Sequence, residues 1–366
     1  MKLLKAEVDA SAVEYKGGIY FIPAYMNALF RLDLQTRRTE LLRILGISNK
    51  DNTYRNAYRY KEHAYFIPWE IETILYVNLI TYEIKKIKIP YKKMNRKGLK
   101  IYPHSYYFST VKIRDNLIFL TPTGIDTAVL IDMKTKEITL FENIVDVENE
   151  VMWGSATIGN SIFISPCVGK RMIELNYISG EYTEHPWIFS PKQYSGMCAK
   201  NRKLYFAPNK ANNLLSFDIE TNTYEKIMIK ADLYDEKMSY LELLPMGNLL
   251  WILPWWSKYI LIYNIVERKW SRIKKDDEIC IDYDTEFRII DYEEKPIFAT
   301  CRTGYFSIYE KNKFRHIPVY IDCGKVRKYI RDNLHFVNEK FAPKEYKNFE
   351  QYIGLENYLT ICSKFY

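Results

Sequence analysis

The sequence predicts an all-β fold: a seven-bladed β-propeller of four-stranded antiparallel blades, followed by a short helical C-terminal extension. Two observations carry this. An aromatic residue recurs inside a short apolar run at Tyr20, Tyr65, Phe119, Phe163, Tyr205, Trp251 and Phe298, at steps of 45, 54, 44, 42, 46 and 47 residues. Other residue types repeat in fixed phase with it. Short strands parted by turn signals suit a sandwich, a barrel or a propeller, and a period in the forties selects the propeller. The expected boundaries are 1–317 for the propeller and 318–366 for the extension.

Each repeating column has a physical reason. An aromatic on a pleated strand can fill the space between neighbouring blades. Three positions later comes a proline: Pro23, Pro68, Pro122, Pro166, Pro208 and Pro254, with Cys301 in the seventh unit. Proline lacks an N–H, so it is expected to end the strand and open a loop. Thirteen positions after the aromatic stands Asp33, Asn78, Asp132, Asn176, Asp218 or Asn264, and three further on Thr36, Thr81, Thr135, Ser179, Thr221 or, as the exception, Glu267. Short oxygen-bearing side chains at such places bond nearby backbone N–H groups and form tight turns. The seventh unit is truncated here, with Glu310 as its nearest counterpart.

One unit shows the strands best. Residues 197–199 read as the inner strand and 203–207 as the second. The third spans 213–219 and the fourth 224–229, with turns at 200–202 and 220–222 and a loop at 208–212. The run Asp218-Ile219-Glu220-Thr221-Asn222-Thr223-Tyr224 resembles the Asp-x-x-Thr-x-x-Trp pattern of kelch repeats, and Asn264 with Trp270 keeps its outer spacing. The kelch diglycine is missing, and an x-Pro pair stands in its place. Lys203-Leu204-Tyr205-Phe206 followed by Asp218 is similar to units of the virginiamycin B lyase family, which implies the same seven-bladed fold. The resemblance spans roughly residues 10–318. Its motifs are architectural and bring no site residues with them, and kelch-like propellers include enzymes, adaptors and carbohydrate binders.

Composition narrows the function classes. The net charge is +8, from 53 basic and 45 acidic residues interspersed along the chain, so specific nucleic-acid binding is not expected. No run of about 18 apolar residues offers a membrane span, and no apolar stretch of signal-peptide length follows Met1. Cys167, Cys198, Cys280, Cys301, Cys323 and Cys362 form no C-x-x-C pair. They read as reduced thiols of a cytoplasmic protein, several of them buried, and no metal or cofactor is expected.

Two segments leave the repeat. After Pro318, Val326, Tyr329, Ile330, Leu334 and Val337 fall at helical spacing, and Pro343 opens a second such stretch with Tyr346, Phe349, Tyr352 and Ile353. They are read as a helical tail packed on the propeller. The long second-to-third step contains Lys85, Lys86, Lys88, Lys92, Lys93, Arg96, Lys97 and Lys100, with no acid between Ile84 and Lys100. It reads either as a solvated loop or as a polyanion contact.

In a propeller the loop between strands two and three and the link between blades emerge at the same end. Ligands are expected there. The post-proline loops supply Tyr25, Trp69, Glu70, Asp126, Lys210, Trp255, Trp256 and Arg302, and the links supply Arg55, His104, Trp153, Tyr194 and Glu286. Trp69, Trp255, Trp256 and Trp153 present flat rings that stack on sugars or anchor peptides, Tyr194 joins them, and Arg55 and Arg302 suit a carboxylate or phosphate. The expected function is a non-catalytic propeller that binds carbohydrate, a small anion or a protein. The alternative is a lyase, epimerase or hydrolase using His104 or His185 with Glu286 or Asp126. Nucleophile elbow, phosphate loop and paired-histidine metal motif are all missing.

Overall fold

A short polar side chain at a hairpin turn can replace a missing backbone acceptor, and six blades use this device. In the computed structural model Asp33 Oδ1 accepts the N–H groups of Gln35 and Thr36, at 3.1 and 2.8 Å. The same pair of bonds recurs at Asn78, Asp132, Asn176, Asp218 and Asn264. The residue four places after each takes a left-handed backbone: Arg37, Tyr82, Lys136, Gly180, Asn222 and Arg268. The turn closes the third strand onto the fourth.

The structure describes residues 3–5, 8, 11–23, 28–45, 54–68, 73–94, 108–114, 116–233, 239–257, 259–274, 287–291, 296–300, 304–311 and 313–322. The chain divides into two units, Met1–Lys88 with Arg288–Tyr366, and Ile89–Phe287. The first unit opens with β1 (Leu3–Lys5). Blade 1 follows as β2 (Ala12–Tyr15), β3 (Gly18–Phe21), β4 (Ala28–Asp33) and β5 (Thr39–Ile44), and blade 2 as β6 (Tyr54–Tyr60), β7 (His63–Pro68), β8 (Thr73–Asn78) and β9 (Ile84–Lys88). In the second unit blade 3 is β10 (Phe108–Arg114), β11 (Leu117–Pro122), β12 (Ala128–Asp132) and β13 (Ile138–Phe141). Blade 4 is β14 (Val151–Ile158), β15 (Ser161–Val168), β16 (Arg171–Asn176) and β17 (Tyr182–Pro186). Blade 5 is β18 (Tyr194–Lys200), β19 (Lys203–Pro208), β20 (Asn213–Asp218) and β21 (Thr223–Met228), and blade 6 is β22 (Ser239–Met246), β23 (Leu249–Trp256), β24 (Tyr259–Asn264) and β25 (Lys269–Lys274). Blade 7 returns to the first unit as β26 (Phe287–Asp291), β27 (Ile297–Thr300), β28 (Tyr305–Glu310) and β29 (Lys313–Pro318), followed by β30 (Tyr320–Asp322). Each blade is a four-stranded sheet whose spatial order is its sequence order. The fold is therefore the seven-bladed β-propeller that the repeat predicts.

The recurring aromatics are all buried on second strands. Tyr20 packs toward blade 2, Phe119 toward blade 4, Phe163 toward blade 5 and Tyr205 toward blade 6, in clusters each drawn from two consecutive blades. The opposite face of β3 sends Phe21 into a cluster shared with blade 7, where its ring meets Phe306 edge-on at 5.3 Å.

The proline column meets its expectation at Pro68, Pro122 and Pro208, where β7, β11 and β19 end, and departs from it at Pro166 and Pro254, which β15 and β23 run past. Pro68, Pro122, Pro166, Pro208 and Pro254 remain opposite Tyr54, Phe108, Met152, Tyr194 and Tyr240 of the first strand. Pairing with the third strand has already stopped, at Phe66, Leu120, Ile164, Phe206 and Ile252. The missing N–H therefore falls beyond the ladder's end, where it costs no hydrogen bond.

Closure in the first unit uses an additional element. β1 pairs antiparallel with β30, Leu3 opposite Asp322 and Lys5 opposite Tyr320. Of the expected helical extension only residues 318–322 are described; 320–322 are strand, and the rest lies outside the described residues. Part of the basic stretch is likewise strand. Lys85, Lys86 and Lys88 lie on β9, the outer edge of blade 2, where lysine discourages strand addition. Lys92 and Lys93 are exposed on a 3-10 turn beyond it, and Arg96, Lys97 and Lys100 lie outside the described residues.

Candidate functional site

The loop end of blades 4 to 6 is built on irregularities in the first strands. Just past the residue opposite the proline, the register of β14, β18 and β22 shifts, at Met152/Gly154, Tyr194/Met197 and Tyr240/Glu242. Such bulges re-aim side chains and are common beside binding sites. The bulged residues are Trp153, Ser195 with Gly196, and Leu241. β6 of blade 2 shifts at the same place, Tyr54/Asn56, which makes Arg55 its bulged residue.

The bulges of neighbouring blades touch through their backbones. A Cβ on Gly154 would lie 2.9 Å from the Ser195 carbonyl oxygen, and one on Gly196 only 2.1 Å from that of Leu241. Ser195 Oγ donates to the Tyr240 carbonyl, and Thr121 Oγ1 to Ser155 Oγ at 2.6 Å. Small residues here allow the first strands of blades 4, 5 and 6 to meet closely. Half-buried Trp153 and Glu242 sit at the two ends of this row.

The loops are tied to one another by main-chain bonds. The N–H groups of Asn209 and Lys210 both donate to the Gln193 carbonyl, Lys192 N–H donates to Cys167 O at 2.8 Å, and Trp187 N–H donates to Lys170 O at 2.8 Å. Lys170, Lys192 and Lys210 are thereby fixed on adjoining loops of blades 4 and 5, and Lys230 follows in the link to blade 6. Among the described residues none of these four lysines has an ion-pair partner. At the opposite, turn end, four cations are each matched: Arg202 with Glu220, Lys203 with Asp218, Arg268 with Glu225 and Lys269 with Glu267.

One loop-end cation is neutralised. Arg171 grips Glu150 in a fork, Nε to Oε1 and Nη2 to Oε2 both at 2.8 Å, and also bonds Glu184 and the Ile144 carbonyl. These carboxylates raise the guanidinium pKa, Glu150 the most. The arrangement anchors the acidic link from blade 3 to blade 4. Asp126 is buried next to it, accepting from Thr127 Oγ1 at 2.6 Å, while its carbonyl receives the N–H groups of Ile144 and Val145. Cys167 borders Lys192 and is half-buried, its thiol pushed up by burial; Cys198 is buried and pushed up to about 12 for the same reason.

Several expected site residues are placed differently. Trp255 and Trp256 continue strand β23 instead of opening a loop, because β23 remains paired with β22 up to Ser239 opposite Trp256. Trp255 is half-buried. Tyr194 starts β18 and is buried. Its hydroxyl donates to Asn213 Oδ1 at 2.6 Å, and burial pushes the phenol up to about 12, so its ring is core. His185 belongs to outer strand β17, not to a link. Its Nε2 faces Glu174 Oε2 at 2.9 Å, its Nδ1 faces Asn222 Oδ1 at 3.1 Å, and its ring lies against Phe163 and Phe217. It wedges blade 4 against blade 5. The side chains of Arg55 and Trp256, and all of Tyr25, Trp69, Glu70, His104, Glu286 and Arg302, lie outside the described residues. The proposed His104–Glu286 pairing therefore does too. No group of three or more His, Cys, Asp or Glu side chains arranged to hold a metal ion occurs among the described residues, and no helix there is long and apolar enough to cross a membrane.

Sequence reasoning missed Lys170, Lys192, Ile188, Phe189 and Met228. The run Trp187-Ile188-Phe189-Ser190-Pro191-Lys192 was a signal for part of this, since so apolar a link needs either a packing partner or a ligand.

No protein-family profile and no curated protein sequence matches the chain. Solved structures do. Selenomethionine-substituted virginiamycin B lyase from Staphylococcus aureus matches at 14% identity and a TM-score of 0.60, over 82% of this chain and 96% of that one. YCF48 bound to D1 peptide matches at 11% and 0.55, over 82% and 92%. PorZ, an essential bacterial surface component of the type-IX secretion system of Porphyromonas gingivalis, matches at 9% and 0.56, over 87% of this chain and 39% of that one. At these identities the likeness is one of fold, shared by proteins of varied function.

Proposed function

We propose that this chain is a binding propeller that holds an anionic ligand or partner segment at the loop end of blades 4 to 6. The observation that carries this reading is the set of lysines Lys170, Lys192, Lys210 and Lys230, without an ion-pair partner among the described residues, on loops joined by main-chain bonds. Cations carried on neighbouring loops repel one another, and an incoming anion relieves that repulsion. Half-buried Trp153 and Trp255 add apolar faces of the kind that hold a sugar ring or a peptide side chain. A propeller of the same fold in complex with a peptide, YCF48, supports a binding role of this type.

The test is retention on an anionic matrix as a function of salt, for the parent and for the Lys170→Gln, Lys192→Gln, Lys210→Gln triple variant. Retention of the parent should fall steeply with salt, and the variant's salt slope should be shallower by about 2–3 phosphate equivalents. Lys92→Gln with Lys93→Gln serves as the comparison for the basic stretch. If that pair removes the slope and the triple variant keeps it, the site lies on the basic stretch and the reading fails. Trp255→Ala should weaken binding with little change in melting temperature, whereas Trp251→Ala, in the core, should cost about 3–5 kcal/mol of stability.

A further inference from the structure

The outer rim of this loop end, between blades 4 and 5, carries apolar side chains that the core does not absorb. In the link after β17, Trp187 is buried and Phe189 half-buried, held edge-on against Tyr194 and Tyr224 at 5.3 and 5.0 Å. Ile188 between them is 76% exposed. Anchored on both sides, the link cannot turn Ile188 inward without losing one of the two rings. On β21, Tyr224, Lys226 and Met228 share one strand face, the face that meets Phe189. Lys226 Nζ lies 5.8 Å from the Phe189 ring centroid, and Met228, at the loop end of the strand, is 56% exposed. Phe189, Tyr224 and Lys226 thus hold the link and β21 together, and exposed Ile188 and Met228 lie on these two elements at the loop end.

These elements and their flanks carry cations. Lys226 lies near the Phe189 ring, Lys192 follows Phe189 in the same link, and Lys210 and Lys230 flank the ends of β20 and β21. None of the four has an ion-pair partner among the described residues. The acids nearest in the chain are Glu184 and Glu225, held by Arg171 and Arg268, together with exposed Asp232. Exposed apolar side chains on elements that also carry cations without an ion-pair partner among the described residues are complementary to a segment that carries apolar anchors among carboxylates.

We propose that the link and β21, with Ile188, Phe189 and Met228, form a docking surface for an acidic peptide segment with apolar anchor residues, contributed by a partner protein. This rests on the anion-binding reading above and specifies its partner. The apolar residues seat the anchors, and Lys192, Lys226 and Lys230 meet the flanking carboxylates.

The full chain is titrated with three fluorescein-labelled probes: a mixed Glu/Phe peptide, a polyglutamate peptide, and anionic phospholipid vesicles. The Glu/Phe peptide should bind more tightly than polyglutamate. Ile188→Ser with Met228→Ser should reduce its affinity to about the polyglutamate level, a loss of about tenfold or more, and leave retention on the anionic matrix unchanged. Both residues are exposed, so the double variant should melt as the parent does. Lys226→Glu should weaken both peptides. Unchanged Glu/Phe binding by the double variant overturns the docking surface while leaving the anion-binding reading standing. Vesicle binding that needs Ile188 and Met228, with no binding of the Glu/Phe peptide, overturns it in favour of a lipid surface. If no anionic probe or matrix binds the parent, both readings fall.

Discussion

The outer hairpin of each of blades 1 to 6 is held by one side-chain oxygen, and nature has used a carboxylate in blades 1, 3 and 5 and an amide in blades 2, 4 and 6. The carboxylates are titratable. Asp33 is held below the usual carboxylate range mainly by the N–H and hydroxyl of Thr36, and Asp218 mainly by the N–H of Thr221. At Asp132 burial opposes the shift, but donation from Asn116, Lys134 and Thr135 outweighs it. A carboxylate whose native pKa is depressed stabilises the fold fully above its unfolded pKa, about 3.9, and loses that contribution as pH falls through the lower native value. The melting temperature should therefore drop in that acid window. Replacing Asp33, Asp132 and Asp218 with Asn, the residue blades 2, 4 and 6 already use, should flatten the drop. An unchanged acid slope in the triple variant would refute the assignment. The turn was legible in sequence because its chemistry is local. Glu267 looked like an exception only because the side chain was counted; what bonds Asn264 is its backbone N–H, at 3.0 Å, which every residue but proline supplies.

At the scale of strands, the informative features are the bulges on β14, β18 and β22. They lift Trp153 out of the ladder and bring neighbouring first strands into backbone contact. Gly196 is where this contact is tightest. Its replacement by Ala puts a methyl 2.1 Å from the Leu241 carbonyl oxygen, and backbone on both sides cannot yield as a side-chain end can. Gly196→Ala should lower stability by about 1–3 kcal/mol or more, read as a reduced denaturation midpoint, and should increase hydrogen exchange in β18 and β22. A variant as stable as the parent would show that the strands slide apart at little cost. None of this was legible beforehand. A bulge is a mismatch between two strands, and one strand's residues do not reveal its partner's register. Pro166 and Pro254 misled for the same reason. Whether a missing N–H ends a strand depends on which neighbour has already left, and here the third strand had gone.

At the scale of the molecule, every blade is made of its own four consecutive strands, and the chain ends add a ribbon, β1 with β30. Val319 and Ile321 on the C-terminal side of that ribbon are buried with Phe30 and Leu32 of blade 1 and Phe306 and Ile308 of blade 7. The ribbon therefore seals the first unit where its blades come from opposite ends of the sequence. Deleting residues 1–5 should unpair β30 and release part of this cluster, at about 1.5–3 kcal/mol for each of Val319 and Ile321 that becomes exposed. Earlier thermal unfolding, with faster exchange at β29 and β30, is the expected result. A truncated chain with parental melting and protection would show that β30 holds without β1.

The amino-acid sequence by itself determined the number of blades, the second-strand aromatics and the six outer turns, because each of these is set by a period or by bonds within a few residues. It also placed the loop end, since the direction of each strand follows from the turns. Tertiary structure alone decided which residues at that end face outward. Tyr194 and His185 have the chemistry of site residues, but Asn213 and Glu174 claim their polar atoms and neighbouring strands cover their rings. Lys170, Lys192 and Lys210 are ordinary surface lysines in sequence, and they become a group only because main-chain bonds tie their loops together. Exposure and charge pairing depend on what the rest of the chain brings alongside, and that information lies in contacts between blades, far apart in sequence.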